Sequence, residues 1–265
     1  MNNIIFRNNE EKINFSYYTA FKFELGECYV SESRIAYLIS NKYLYYLNNA
    51  IENLKSIHYG EDDEIQLYFS PTIPHFYKKM QLGTHCLVMF KIPIGVFPLD
   101  SILRYFGGYI EGEHVCWIIS RLLNIVEFIH KNEMVHNGIN IDNCFISPSN
   151  HFVALYGGWW YSKQDGKTMY GMPTSVYNIL DEETKKSKKS NIITDINSVK
   201  QVGRIISGIE TFGEDIGLPR PLYSFLTSNN SSIDSVLKEW EEVKRNSYGE
   251  PKFMKMDVDI SKILN

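Results

Sequence analysis

The chain has 265 residues, 44% of them hydrophobic, and a net charge of −4. That suits one large domain or two lobes sharing a core, and argues against a general nucleic-acid or membrane-surface binder. No apolar window approaches the ~18 residues of a spanning helix, and the opening residues lack the sustained apolar run of a signal peptide. Cys28, Cys86, Cys116 and Cys144 are widely spaced with no Cys-x-x-Cys pair, which predicts reduced, buried thiols in a cytoplasmic protein and no zinc or redox motif.

In chain order, residues 21–25, 28–30 and 34–39 read as a meander of short strands around Gly26. Leu44, Leu47, Ile51, Leu54 and Ile57 follow a helical period. After an acidic turn at residues 60–64, residues 65–69 and 85–91 read as strands. Pro93, Gly95 and Pro98 break the chain as a hinge would. A short helix follows over residues 99–106, and a longer one over 113–131. In the longer helix Val115, Ile118, Ile119, Leu122, Leu123, Val126 and Ile129 recur on one broad apolar face. Residues 144–146 and 152–155 read as strands. Residues 181–191 are polar and charged, which predicts a mobile surface loop. A further helix begins at Thr194, capped by Thr194 or Asp195, and weaker helices continue to about Lys244.

The segment His136-Asn137-Gly138-Ile139-Asn140-Ile141-Asp142-Asn143 follows the long helix directly. It resembles the protein kinase catalytic loop, H-R-D-x-K-x-x-N. His136 and Asn143 keep their places, while Asn137, Gly138 and Asn140 stand for the arginine, the aspartate and the lysine. Residues 153–158, Val-Ala-Leu-Tyr-Gly-Gly, resemble the strand entering D-F-G, with Tyr156 for the metal-binding aspartate and Gly158 keeping the glycine. Pro173 resembles the proline of A-P-E. Thr194-Asp195-Ile196-Asn197-Ser198 resembles the D-x-x-S start of the central buried helix. In the family that aspartate holds the catalytic-loop backbone, which implies an architectural Asp195. Residues 35–38 fit the V-A-I-K strand with Leu38 at the lysine, and Ala50 then falls at the helix glutamate. A shift of a residue or two admits Glu52 or Lys42 instead. No glycine-rich loop precedes the strand. Divergent kinase-like proteins of phages and bacteria, with a Gly-Trp-Trp-like stretch after D-F-G, are also similar.

The resemblance implies an α+β, two-lobed, protein-kinase-like fold. Residues 1–92 would form a small antiparallel N-lobe with one helix, 93–98 a hinge, and 99–265 a larger helical C-lobe. It also implies an impaired site. Phosphoryl transfer needs positive charge on the phosphates and a positioned acceptor. Here Leu38, Ala50, Gly138 and Tyr156 replace the groups that supply them. Loss of the general base alone costs about 10²–10⁴-fold. Asn143, neutral, is a poor magnesium ligand by itself and the weak candidate for any nucleotide contact. No cofactor or metal is expected, Mg-ATP being the ligand the alternative reading would require. His136, Asn143, Gly158 and Asp195 read as structural. Trp159 and Trp160 fill the cleft or dock a partner, and Tyr156 plugs the nucleotide site. The expected function is that of a pseudokinase acting as scaffold, decoy or allosteric regulator of another protein, such as a kinase or a host or regulatory factor. The alternative is a divergent ATP-dependent transferase, a kinase or a nucleotidyl transferase. It would have relocated carboxylates, drawn from Asp142, with Glu52 and Asp100 more remote. Nucleic-acid binding through the lysines of residues 185–189 is disfavoured by the acidic balance.

Overall fold

The computed structural model describes residues 1–228, 232–250 and 252–264. The predicted helical C-terminal part runs over residues 229–231, 251 and 265, which lie outside the described ones. An antiparallel hairpin opens the chain, β1 Asn2–Arg7 against β2 Lys12–Tyr17. Next comes a five-stranded antiparallel sheet built from β3 Thr19–Phe23, β4 Gly26–Val30, β5 Arg34–Ser40, β6 His75–Leu82 and β7 His85–Lys91. Its order is β3-β4-β5-β7-β6.

Over its central strands β4, β5 and β7 the sheet is covered on both faces. Cys28, Val30, Ile35, Tyr37, Ile39, Val88 and Phe90 face the main core. Tyr29, Ala36, Met80, Leu87 and Met89 face the other way and are covered by Phe6 and Phe15 of the hairpin, with Leu38 packed beside them. Strand side chains alternate between faces, but with both faces covered every residue of β5 from 35 to 39 is apolar or aromatic.

Helix α1 Leu44–Lys55 packs on the sheet. Residues 65–69, expected as a strand, belong instead to helix α2 Asp63–Phe69. The Asp62 carboxylate caps this helix by accepting from the Glu64 amide at 2.8 Å, and Asp63 and Glu64 sit in its first turn, where the helix dipole favours negative charge. Phe69 at its end stacks on Phe128 at 4.3 Å.

The predicted hinge divides in two. Residues 93–96 form a turn, and β8 Phe97–Pro98 already pairs with β10 Cys144–Ser147, itself paired with β11 Phe152–Leu155. Helix α3 Leu99–Tyr105 leads to α4 Gly112–Lys131, whose apolar stripe is fully buried. A two-residue strand, β9 Met134–Val135, pairs with β12 Lys163–Gln164. The remaining helices are α5 Thr174–Asn178, α6 Glu182–Ser187, α7 Ile192–Ile206, α8 Ile209–Phe212, α9 Arg220–Thr227, α10 Ile233–Tyr248 and α11 Ile260–Leu264.

Two local expectations need correction. The charged run at residues 181–191 contains a capped helix. Asp181 accepts from the Thr184 amide at 2.7 Å, Glu182 and Glu183 occupy the first turn, and Lys185 and Lys186 occupy the last. Polar composition concealed a charge order that suits a helix. Helix α7 begins two residues before Thr194, and its cap is Asn191, whose side chain accepts from the Ile193 amide at 2.9 Å. Asp195 is thereby left free for other partners. No helix among the described residues is long and apolar enough to cross a membrane.

Candidate functional site

The loop at residues 136–143 is organised around Asp195, in the first turn of α7 and fully buried. Its Oδ2 accepts from the His136 amide at 2.7 Å and its Oδ1 from the Asn137 amide at 2.9 Å; His130 Nε2 lies 3.1 Å from Oδ2. Backbone donors aimed at a buried carboxylate hold a chain reversal rigidly. Asn137 has φ +56°, a conformation asparagine tolerates better than most residues. Its side-chain Nδ2 donates to Ser190 Oγ at 2.8 Å. The Gly138 amide donates to His136 Nδ1 at 3.2 Å, so the ring proton resides on Nε2. Burial drives the His136 imidazole down to about 4, against the opposing pull of Asp195. His136 is therefore neutral near pH 7.

Asn143 is committed to the same scaffold. Its amide Nδ2 donates to the Gly138 carbonyl at 2.7 Å, and its backbone carbonyl accepts from the amides of Tyr156 and Gly157 at 3.2 and 3.3 Å. The structure thus brings His136, Gly138, Asn143, Gly158 and Asp195 together.

At three other positions the residue that meets the segment 143–162 is a neighbour of the one sequence spacing selects. Tyr37, not Leu38, faces it from β5. The Tyr37 hydroxyl donates to the Tyr156 carbonyl at 3.2 Å, and its ring meets Trp160 edge-on at 4.8 Å. Leu38 lies on the opposite face with the hairpin. From α1 it is Asn49, not Ala50, whose side chain arrives: Nδ2 donates to the carbonyls of Trp160 and Ser162 at 3.1 and 3.0 Å, and Asn53 adds a bond to Ser162 at 2.8 Å. Ala50 is packed in the core, and both Lys42 and Glu52 are exposed. Beside the Asn143 side chain stands Gly157, while the Tyr156 ring turns to Phe145 and its hydroxyl donates to the Pro71 carbonyl at 2.6 Å. Period-2 alternation normally fixes a strand's face, but β5 is apolar on both, so that signal was silent for Tyr37.

The tryptophans are internal. Trp159 donates from Nε1 to the Leu155 carbonyl at 2.7 Å and packs edge-on to His136 at 4.9 Å. Trp160 lies between Tyr37 and Phe23, the latter at 5.1 Å. Both are almost fully buried.

The glycines here leave no space. A Cβ on Gly138 would stand 2.9 Å from the Gly158 carbonyl oxygen and 3.0 Å from the Tyr161 ring. One on Gly157 would stand 2.1 Å from Asn143 Oδ1. Gly158 has φ +81°, and a Cβ there would meet His136 at 2.6 Å. The carboxylate within this loop is Asp142, whose side chain is exposed. Its carboxyl is pushed above the ordinary range by desolvation first, then by Asp100 and Glu24. The polar side chains that meet residues 143–162 are the phenol of Tyr37, the neutral amides of Asn49 and Asn143 and the neutral imidazole of His136, with the Glu24 carboxylate accepting from the Tyr161 hydroxyl at 3.4 Å.

No family model matches the chain. A stretch of 73 residues, 25% of the chain, is 33% identical to serine/threonine-protein kinase VRK3 of Bos taurus and spans 16% of that protein. A stretch of 92 residues, 35% of the chain, is 27% identical to serine/threonine-protein kinase greatwall of Xenopus laevis and spans 10% of it. The matched segments are thus a small part of both relatives. Among solved structures, the crystal structure of the BubR1 kinase domain is similar with a TM-score of 0.62 at 10% identity, over 99% of this chain and 86% of that one. With antiparallel sheets in its N-terminal part and a helical remainder, the chain has a protein kinase-like fold.

Proposed function

We propose that this protein is a pseudokinase, working by binding another protein and not by ordinary phosphoryl transfer. The observation that carries this reading is the absence of room for a single Cβ at Gly138 and Gly157. Where an active kinase needs a base and a metal carboxylate, this chain has backbone packed against backbone and an asparagine amide. Tyr37 and Trp160 support the same reading by closing the sheet onto the loop with aromatic surface. In this view residues 1–92 form an N-terminal lobe, 93–98 a hinge and 99–265 a helical lobe. The protein works in the cytoplasm as a scaffold, decoy or regulator of a protein such as a kinase.

The test is a thermal melt with and without millimolar Mg-ATP, alongside incubation with ATP labelled at the α- or γ-phosphate. The expected result is an unchanged melting temperature and no transfer of either label. A clear stabilisation by Mg-ATP that Asn143→Ala abolishes would overturn the proposal, and transfer of label would favour a divergent transferase.

A further inference from the structure

Away from the Asn143 loop, a groove of about 440 Å³ runs between α2, the turn at residues 93–96 and the β10–β11 hairpin. Two aliphatic side chains on its rim are strongly exposed, Leu67 at 78% and Ile94 at 77%. Pro71 and Phe152 add apolar wall. Clustered exposed aliphatics around a concavity mark an interaction site more often than scattered ones do. One cation lines the groove. Arg121 lies 5.6 Å over the Tyr68 ring and donates through Nη1 to the Tyr68 hydroxyl at 2.6 Å. Among the described residues no carboxylate pairs with it. A stacked guanidinium with donors to spare is preorganised for a carboxylate.

We infer that this groove docks a segment of a partner protein that presents apolar side chains flanking one Asp or Glu, the acid meeting Arg121 and the apolar residues covering Leu67 and Ile94. The charge pattern favours a peptide over a lipid surface or nucleic acid. Those anions need several converging cations, whereas α2 opens with the acidic run at residues 61–64. The inference deepens the binding reading and rests on it for the expectation of a protein partner. It also ties the partner surface to the candidate site, because the carbonyl of Pro71 accepts from the Tyr156 hydroxyl at 2.6 Å.

A random peptide display selection on the full chain tests it, followed by anisotropy titrations of selected peptides on wild type, Arg121→Gln, Leu67→Ser and Ile94→Ser. All three changes are near the surface, and a melt of each variant verifies folding. Selected peptides should share apolar residues around one acid, and each substitution should weaken binding about tenfold, the loss of a charge-assisted hydrogen bond or of a buried aliphatic contact. Peptides without an acidic preference, binding indifferent to all three substitutions, or no enrichment would overturn the proposal. So would a homodimer in sedimentation that Ile94→Ser dissolves, which would assign the groove to a second copy. Nucleotide melts and peptide titrations read different sites, so failure here is distinguishable from failure of the pseudokinase reading.

Discussion

The Tyr37 hydroxyl donates to the main-chain carbonyl of Tyr156 at 3.2 Å, across 119 residues of sequence. This bond, with the edge-on contact of Tyr37 to Trp160 at 4.8 Å, fastens the inner face of the sheet to residues 156–160. Trp160→Ala removes the ring between Tyr37 and Phe23. Truncating a buried tryptophan costs about 3–5 kcal/mol, so urea unfolding should show a loss of that order. Because no cation or carboxylate is uncovered, the variant should still show no melt response to Mg-ATP.

Placing an acid at Gly138 should harm the fold without conferring transfer activity. A Cβ at Gly138 meets the Gly158 carbonyl oxygen at 2.9 Å and the Tyr161 ring at 3.0 Å. Overpacking of this kind costs about 1–3 kcal/mol, and Gly138→Asp adds a carboxylate with no donor waiting for it. Chemical denaturation should place Gly138→Ala about 1 kcal/mol below wild type, with Gly138→Asp lower still, and neither variant should label a protein substrate. A Gly138→Asp protein as stable as wild type would show that the loop is looser than this packing requires.

Asp195 is the converse case, a charge whose removal leaves donors stranded. It accepts from the His136 and Asn137 amides and adjoins His130. Asp195→Ala orphans two buried backbone N–H groups, each costing about 1–3 kcal/mol. A total loss of roughly 3–5 kcal/mol is expected, with Asp195→Asn intermediate because its amide oxygen still accepts one bond. Hydrogen exchange at the His136 and Asn137 amides, measured by NMR, should accelerate in both variants.

Much of this arrangement was legible in the sequence where a local motif or an apolar period carries the information. His136, Asn143 and Asp195 could be singled out because the segments 136–143 and 194–198 resemble kinase motifs in which these positions are structural. The length and burial of α4 followed from its apolar period. Legibility failed where neighbours decide. Leu38 and Tyr37 exchange roles because the β1–β2 hairpin covers the outer face of the sheet and erases the polar half of the alternation. Residues 65–69 are apolar enough for a strand, but the cap at Asp62 and the stack of Phe69 on Phe128 select a helix. The acceptors of Asn49, backbone carbonyls 111 and 113 residues away, leave no trace in local pattern.

The neutral His136 gives stability a defined pH dependence. Its folded-state value is held at about 4, below the usual 6.5, and the dominant cause is burial. Between those values the unfolded chain binds a proton that the native state refuses. The contribution is therefore fully present above pH 6.5 and is lost as the pH falls toward 4. Buried His114 and partly buried His151 are lowered in the same direction. The raised carboxyl of Asp142 acts oppositely and adds stability as the pH falls. His136→Leu isolates the first effect. It removes one titrating group at a site whose Nε2 already lacks a partner, although it gives up the bond from the Gly138 amide. Wild type should lose about 2 kcal/mol of unfolding free energy from pH 7 to pH 5 on account of His136, and the variant, less stable at pH 7, should lose correspondingly less. Urea titrations at the two pH values measure the difference of slopes, and parallel slopes would mean that His136 takes up its proton as readily in the folded loop as in the unfolded chain.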